Sequence, residues 1–385
     1  MSINKITPLD TFVSNDAPIC YGILKPGDHY EGGIPVIKVK NIIGGVILED
    51  DLLKTTPEIH AQYKRAEVKE GDILLTIRGT TGRVAIVPNS LNGANITQDT
   101  ARIRVSSNDD SLYIFYALQS FNVQQQITLN TVGQAVKGIN IAEVKKLKIY
   151  HPILDEQKAI AQILSTWDQA ISATEKLLEN SQQQKKALMQ QLLTGKKRLF
   201  DENGVEFSDE WQRFSLGSIA KVYQPKTISQ SELSSDGYPV YGANGIIGYY
   251  SDFNHELEQI AVTCRGSTCG VVNWTLPKSW ITGNAMVINV DGSVLVDKKF
   301  LFYVLGFSDL KYLITGSGQP QITGDIKNHV VSLAPIEEQK SIAYVLTLAD
   351  QEIGILQKKL DCLKQEKKAL MQQLLTGKKR VKVAA

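Results

Sequence analysis

This 385-residue sequence has few cysteines, no long apolar run and almost no net charge. Its four cysteines are too few and too widely separated for a disulfide framework, so we expect a reducing, cytoplasmic setting. No stretch approaches the roughly 20 apolar residues that a membrane-spanning helix needs, so we expect no association with a membrane. The residues from Met1 to Pro8 show no basic region before an apolar segment, which argues against a secretory leader.

The composition is that of a globular chain, with 43% hydrophobic and 21% charged residues. Its length suffices for roughly two to three domains. The 42 basic residues nearly balance the 40 acidic ones, and residues 199–336 carry 9 basic against 14 acidic side chains. Any binding of DNA must therefore depend on a local patch, because the field near the phosphates matters more than the total charge.

Catalytic and cofactor motifs are also missing. The sequence has no Asn-Pro-Pro-Tyr or Asp-Pro-Pro-Tyr run, no Gly-x-Gly loop after a strand, and no Gly-Lys-Ser/Thr phosphate loop. Pro57-Glu58 and the later Glu67-Val68-Lys69 imitate a metal nuclease motif only loosely. Cys264 and Cys269 lack a second pair of ligands nearby, so we expect thiols rather than a zinc site. We therefore predict no catalytic residue, metal site or cofactor of its own in this chain.

An internal repeat is the strongest signal in the sequence. Residues 186–198 recur without change at 368–380. Over the longer segments 155–198 and 337–380, 26 of 44 positions are identical. The period is too long for a solenoid, so we expect a duplicated half in which a globular block is followed by a repeated segment.

The pattern of each repeated segment indicates one long helix. Both segments follow a proline, open on acidic residues and end at Thr-Gly-Lys-Lys-Arg, which are typical start and stop signals. A helix over 155–193 would be about 58 Å long, more than a single small core can surround. Apolar residues at coiled-coil spacing predict that the two helices pack on each other. The predicted packing residues are Ile160, Leu164, Trp167, Ile171, Leu178, Leu188, Leu192, Ile342, Leu346, Ile353, Leu360, Leu370 and Leu374.

The two globular blocks resemble each other as well. Residues 76–82 and 263–269 both follow and precede strand-like runs, and both contain Arg-Gly followed by hydroxyl residues. Short strands alternate with turns, and we expect helices at 111–127 and 297–314, so the predicted fold class is α+β. The predicted domains are a first recognition domain at 1–153, a central helix at 154–198, a linker with a second recognition domain at 199–336, and a distal helix with a basic tail at 337–385.

Taken together, the chain resembles the specificity (S) subunit of a type I DNA restriction–modification system. The resemblance is carried by the two Pro…Glu-Gln-Lys…Leu-Leu-Thr-Gly-Lys-Lys-Arg helices, the two Arg-Gly segments, and the strand entry at 33–36. Trp211 and the later Phe214-Ser215-Leu216-Gly217 also match the usual opening of the second half in that family. The first half departs from the pattern, since it starts at Ile6-Thr7-Pro8-Leu9 without the tryptophan or the Leu-Gly.

The resemblance implies two target recognition domains, each reading one half of a bipartite sequence in double-stranded DNA. It implies that the two long helices lie antiparallel and fix the spacer, so that their length acts as a ruler. It also implies two partner methylation subunits, which would bind S-adenosylmethionine and methylate adenine, and restriction subunits that supply the nuclease. On this interpretation the chain itself is not an enzyme.

Candidate DNA contacts are the residues whose side chains suit base edges or phosphates. Each of them has an alternative role as a solvated loop residue, and Arg78 and Arg265 have a second one as framework residues of a turn. If the two arginines are equivalent, they would grip phosphate rather than read a base, because the two half-sites should differ. The candidates are Lys38, Lys40, Asn41, Arg78, Thr80, Thr81, Arg83, Gln134 and Lys137 in the first block, and Tyr241, Asn244, Arg265, Ser267, Thr268, Gln319 and Gln321 in the second.

Two other functions stay open on the sequence. The recognition subunit of another restriction class that cuts a bipartite site would need the same two-domain plan. A coiled-coil interaction protein without DNA binding is the second, and the acidic residues 199–336 favour it. The paired Arg-Gly-hydroxyl segments oppose this second function.

Overall fold

The computed structural model describes residues 5–134, 137–243, 245–316 and 318–382. The chain divides into two compact units, one formed by Met1–Glu175 with Lys359–Ala385 and the other by Lys176–Lys358. Each unit contains one globular block and part of each repeated segment. The units therefore divide the chain within the long helices, whereas the sequence places domain boundaries at the helix ends.

The first unit is built around an antiparallel sheet with the strand order β2-β10-β7-β8. A second sheet has the order β6-β3-β9, and two strand pairs, β1-β11 and β4-β5, complete the strands. The elements in chain order are β1 (Ile6–Pro8), β2 (Cys20–Tyr21), β3 (Ile34–Ile37), β4 (Ile42–Ile43), β5 (Val46–Ile47), β6 (Leu53–Thr55), α1 (Pro57–Gln62), β7 (Ile73–Thr76), β8 (Val84–Ile86), β9 (Asn95–Ile96), β10 (Thr100–Ile103), α2 (Ser111–Gln119), α3 (Phe121–Leu129), α4 (Ile141–Lys145), β11 (Lys148–Tyr150) and α5 (Leu154–Leu192), with short 3₁₀ helices at Leu9–Phe12, Val39–Asn41, Lys64–Ala66 and Asn89–Leu91.

The second unit has a corresponding antiparallel sheet with the order β13-β19-β16-β17. A sheet of order β15-β14-β18 and a pair β12-β20 accompany it. Its elements are β12 (Gln212–Ser215), α6 (Leu216–Ile219), β13 (Lys221–Tyr223), β14 (Tyr238–Gly242), β15 (Gly245–Tyr250), β16 (Ile260–Thr263), β17 (Val272–Trp274), β18 (Trp280–Ile281), β19 (Ala285–Asn289), α7 (Lys298–Phe307), β20 (Val330–Leu333) and α8 (Ile336–Leu374), with 3₁₀ helices at Gln230–Glu232, Leu310–Leu313 and Gly324–Asn328.

The two units share one topology, which confirms the predicted duplication and the α+β class. Both four-stranded sheets join their strands in the same order, and each unit adds one parallel pair, β3-β9 in the first and β14-β18 in the second. Helices α5 and α8 each span 39 residues, as the repeat predicts.

The first unit closes at its N-terminal end in the same way as the second, although its sequence lacks the Leu-Gly motif. Strand β1 pairs with β11 as β12 pairs with β20. The backbone N–H of Leu9 donates to Leu147 at 2.8 Å, and that of Leu216 donates to His329 at 2.8 Å. These bonds involve only the backbone, and the buried Leu9 takes the place of the buried Leu216.

The helices predicted at 111–127 and 297–314 are each interrupted. Ser120 is extended between α2 and α3, where its hydroxyl donates to the Ala117 carbonyl and accepts from the backbone N–H of Val123. Ser308 is also extended, and a short 3₁₀ helix follows it after α7. Ser120 caps α3, and Asp309 caps the 3₁₀ helix that follows α7. A residue that caps the next helix competes with continuation of the first, which the apolar spacing alone does not reveal.

The ends of the long helices belong to the cores of the globular blocks. In the first unit, Ile160 and Leu164 are buried in one cluster with Phe12 and Leu374. In the second, Leu192 is buried with Phe300, Ile342 and Leu346. Burial of such a side chain contributes about 1.5–3 kcal/mol, so each block is fixed to the helix ends that it contacts.

Candidate DNA-recognition surfaces

A tight turn between β7 and β8 forms what we call the tip of the first unit. The hydroxyl of Thr76 accepts a hydrogen bond from the backbone N–H of Arg83 at 2.9 Å and donates to the Thr80 carbonyl at 2.6 Å. Gly79 and Gly82 have φ angles of 72° and 87°, a left-handed conformation that favours glycine. Thr76 and the two glycines are therefore needed to build the turn, whatever else the tip does.

The glycine-rich stretch that follows α3 lies against this tip. Val132 and Gly138 exchange two backbone hydrogen bonds of 2.9 Å, and Arg78 forms a β-bridge with Gly138. The structure thus brings together three predicted contacts, Arg78, Gln134 and Lys137, all with exposed side chains. Arg78 lies more than 50 residues from the other two in the sequence.

The second unit repeats this arrangement. Thr315 and Gln321 exchange backbone hydrogen bonds of 2.9 and 3.0 Å, and Arg265 forms a β-bridge with Gln321. Arg265, Ser267, Gln319 and Gln321 are all exposed. Each unit therefore presents an arginine tip paired with a glycine-rich loop, built by the same backbone contacts.

Other predicted DNA contacts hold the first unit together. Asn41 is only 4% exposed, and its side chain accepts from the Lys38 backbone at 3.1 Å and donates to the Leu48 carbonyl at 3.4 Å. Arg83 donates to the Ile42 carbonyl at 3.1 Å. The bonds of Asn41 use both side-chain atoms that would be needed to read a base, and Arg83 Nη1 binds the backbone carbonyls of Val39 and Ile42.

Lys38 is partly buried, and Lys40 is exposed, where its ammonium lies 2.8 Å from the Asp51 carboxylate. This hydrogen bond lowers the pKa of Asp51. Thr80 is exposed beside Arg78, whereas Thr81 is partly buried with its hydroxyl 3.5 Å from that of Thr131.

In the second unit, Tyr241 is only 6% exposed and its hydroxyl accepts from the backbone N–H of Leu276 at 3.0 Å. The hydroxyl of Thr268 donates to the Ala243 carbonyl at 2.5 Å. Tyr241 therefore holds the backbone at Leu276, and Thr268 holds the tip of the second unit to the backbone of Ala243. Asn244 lies outside the described residues.

Two ion pairs with buried carboxylates, which we call the clasps, join the end of one repeated segment to the start of the other. In the second unit, Arg198 makes two hydrogen bonds of 2.7 Å to Glu338, whose carboxylate also accepts from Trp211 Nε1 at 3.1 Å. In the first unit, Arg380 binds Glu156 in the same way, at 2.7 and 2.5 Å. Sequence analysis missed these pairs, although the presence of both residues in each repeat copy was a signal for them.

A polar group that includes a lysine also lies in each helix seam, the line along which α5 and α8 pack on each other within a unit. Lys185 is 2.5 Å from Asp350, which accepts a second hydrogen bond from the Tyr303 hydroxyl at 2.7 Å. Burial, together with the contact to Asp350, raises the pKa of Tyr303. The corresponding group in the first unit is Lys367, Asp168 and Tyr116, with distances of 2.5 and 2.7 Å. Since an aspartate near the start of one helix meets a lysine near the end of the other, the pairing within each unit is antiparallel.

The predicted packing residues line these seams to different degrees. Those that are buried are Ile160, Leu164, Leu178, Leu192, Ile342, Leu346, Leu360 and Leu374. Those of intermediate exposure are Trp167, Ile171, Leu188, Ile353 and Leu370. Apolar packing is thus densest where the helix ends enter the block cores.

Three further observations concern the described part of the chain. Within it, no group of three or more His, Cys, Asp or Glu side chains is placed to hold a metal ion. Cys264 and Cys269 are buried, and burial raises the pKa of both thiols. No helix in this described part is both long enough and apolar enough to cross a bilayer.

Comparison with known families identifies the protein class. A family model described as the type I restriction modification DNA specificity domain matches residues 25–181 and again 208–365. The chain belongs to the specificity subunits of type I DNA restriction–modification systems. Its role is recognition of DNA sequence, and the two model matches correspond to its two target recognition domains.

Relatives of this specificity subunit come from distant organisms. It is 29% identical over 346 residues to the putative type I restriction enzyme MjaX specificity subunit of Methanocaldococcus jannaschii, covering 81% of this chain and 79% of the relative. It is 30% identical over 188 residues to the EcoBI specificity subunit of Escherichia coli, covering 49% and 40% of the two chains. The crystal structure of the S subunit from M. genitalium shares the fold, with a TM-score of 0.65 at 17% identity over 97% of both chains.

Proposed function

We propose that this specificity subunit reads a two-part target in double-stranded DNA, with one half-site for each unit. The observation that carries the proposal is the duplicated tip: Arg78 and Arg265 project beside equivalent glycine-rich loops, although the chain around them differs. Two related surfaces on one chain suit two short sequences rather than one continuous site.

The long helices supply the second part of the proposal. Each unit is fixed to the helix ends by buried apolar residues and by a clasp, so a change in helix length alters the distance between half-sites. The outer faces of the helices, such as Gln182–Gln184 and Gln190–Gln191, offer exposed amides for docking of two methylation subunits and of restriction subunits. A solved structure with the same fold, at a TM-score of 0.56 and 16% identity, is described as explaining assembly of a type I system.

In such an assembly the partner methylation subunit binds S-adenosylmethionine and transfers the methyl group to adenine. The present chain binds the duplex and positions it. Its contribution to the reaction is therefore affinity, register and the choice of sequence. We place this assembly in the cytoplasm.

The proposal is tested by expressing the chain with its methylation subunit in a host without adenine methylation, and mapping methylated adenines genome-wide. We expect one motif with two defined parts and a constant gap. An unsplit motif, or no methylation by an assembled complex, would contradict the proposal.

A salt titration separates this function from that of a coiled-coil scaffold. Binding of the assembled complex to a duplex with the mapped motif should weaken steeply as salt rises, because phosphate contacts release counterions. A duplex with a scrambled motif is the control. A flat response on both duplexes would favour the interaction scaffold.

A further inference from the structure

The turn that leads into β10 in the first unit and the turn that leads into β19 in the second occupy equivalent places. We call each of them the floor turn, residues 97–100 in the first unit and 282–285 in the second. The backbone N–H of Thr100 donates to Thr97 at 3.2 Å, and that of Ala285 donates to Thr282 at 3.0 Å. The same bonds in both units allow the turns to be aligned residue by residue.

This alignment places Asp99 and Asn284 at one position, next to the tip arginines. The carbonyl of Asp99 accepts from the backbone N–H of Ile77 at 2.8 Å, the residue just before Arg78. The carbonyl of Asn284 accepts from the backbone N–H of Cys264 at 3.0 Å, the residue just before the second arginine. The shared position thus carries an acid in one unit and an amide in the other.

In the first unit, Gln98 and Asp99 of the floor turn line an open cleft of about 1150 Å³. Arg78, which also lines the cleft, donates to the Gln98 side chain at 3.1 Å. The guanidinium of Arg65 lies 5.7 Å from the centre of the Tyr21 ring, and both residues line the cleft as well. Neither Asp99 nor the two arginines form an ion pair with another described residue within 4 Å. The cleft therefore combines cationic walls with a carboxylate that has no charged partner in the described chain.

The chemistry of these side chains matches base edges in the major groove. An aspartate accepts a hydrogen bond from the N4 amino group of cytosine, whereas an asparagine forms two hydrogen bonds with adenine. An arginine that recurs in both units suits the phosphates, which every sequence has in common. Discrimination between two different half-sites must come from positions that are structurally equivalent but chemically different.

We propose that Asp99 and Asn284 are specificity-determining residues, with Asp99 selecting cytosine in the half-site read by the first unit and Asn284 selecting adenine in the other. This inference rests on the proposed function, since it assumes that each unit reads its own half-site. The side chains are free to be exchanged because the turns are held by the backbone carbonyls of these residues.

The test compares Asp99→Asn and Asn284→Asp in the complete complex with the methylation subunit. Each complex is given duplexes in which one position of the mapped motif at a time carries each of the four bases, and methylation rates are measured. We expect Asp99→Asn to change preference from cytosine towards adenine at one position of one half-site, and Asn284→Asp to do the reverse in the other half-site. The expected change in relative rate is about 5- to 150-fold at that position.

Each variant is the control for the other, because its effect must stay within one half-site. Glu70→Gln is a further control, since Glu70 is exposed at the opposite end of β7 and its substitution should leave the motif unchanged. Asp99→Ala should relax selection at the same position without introducing adenine preference, and thermal unfolding verifies that it folds.

The outcomes separate this inference from the function on which it rests. If the wild-type complex methylates a two-part motif but Asp99→Asn and Asn284→Asp leave every base preference unchanged, the assignment of these residues is wrong and the function stands. A uniform loss at all positions by a folded variant would likewise refute the assignment. If the wild-type complex methylates no two-part motif, the proposed function itself fails.

Discussion

Removal of Glu338 tests whether the clasp of the second unit stabilises the fold. Its carboxylate is fully buried and accepts two hydrogen bonds from Arg198 and one from Trp211. Glu338→Ala leaves a guanidinium that is only 20% exposed without its counter-charge. Loss of one partner of a buried pair costs about 3–5 kcal/mol. We therefore expect a decrease of that size in the free energy of unfolding of the second unit.

The equivalent change in the first unit, Glu156→Ala, is the matched comparison. Arg380 is 43% exposed, so water can hydrate its guanidinium when Glu156 is removed. The expected loss there is about 1.5–3 kcal/mol, the usual contribution of a hydrogen bond to a charged group. The difference between the two variants reports the effect of burial on two arginine–glutamate pairs of the same geometry, which differ in their third donor, Trp211 in the second unit and the backbone N–H of Val381 in the first.

Hydrogen exchange with mass spectrometry shows which unit loses stability. Urea unfolding followed by tryptophan fluorescence gives the size of the change in the free energy of unfolding. With a slope of about 2 kcal/mol per molar urea, Glu338→Ala should shift the midpoint of the second unit by about 1.5–2.5 M. Exchange in the first unit should not change. A loss below about 1 kcal/mol, or equal losses for the two variants, would refute the argument from burial.

Three further predictions concern the seam, the pH dependence and the spacer. Lys185→Glu should destabilise the second unit by about 1 kcal/mol, and Asp350→Lys in the same chain should restore most of the loss, as measured by urea unfolding. Burial lowers the pKa of His255 below its usual 6.5, so the unfolded chain takes up the proton at a higher pH than the folded one. The free energy of unfolding should therefore fall as the pH drops below 6.5. His255→Gln should flatten this dependence in unfolding measured from pH 7.5 to 5. Seven residues inserted after Glu179 and seven after Ile355 lengthen each helix by about 10 Å, so the gap in the methylated motif should grow by about three base pairs with both half-sites unchanged. An unchanged gap in an active complex would contradict the ruler.

The sequence alone was enough to predict the duplication, the two long helices and the α+β class. Each of these features depends on residues close together in the sequence. The identical segments at 186–198 and 368–380 show the repeat directly, and the signals that start and stop a helix act within one or two turns. The family followed from the same residues, because their order and spacing are specific even though each motif is weak.

Only the tertiary structure determined which charges are partners. Arg198 and Glu338 are 140 residues apart, and nothing in the local pattern distinguishes that arginine from the two exposed lysines before it. Their contact depends on the antiparallel pairing of the helices in each unit. Long-range ion pairs follow from register, which a periodic sequence leaves undetermined.

The same limit applied to the recognition surfaces. Asn41 and Arg83 have suitable side chains for bases, yet the fold uses them to bind backbone carbonyls. Asp99 belongs to no recognisable motif, and it became a candidate for base recognition only because the backbone places it beside Arg78. Side-chain type is written in the sequence, but whether a polar group meets solvent or a buried partner is decided by packing between distant segments.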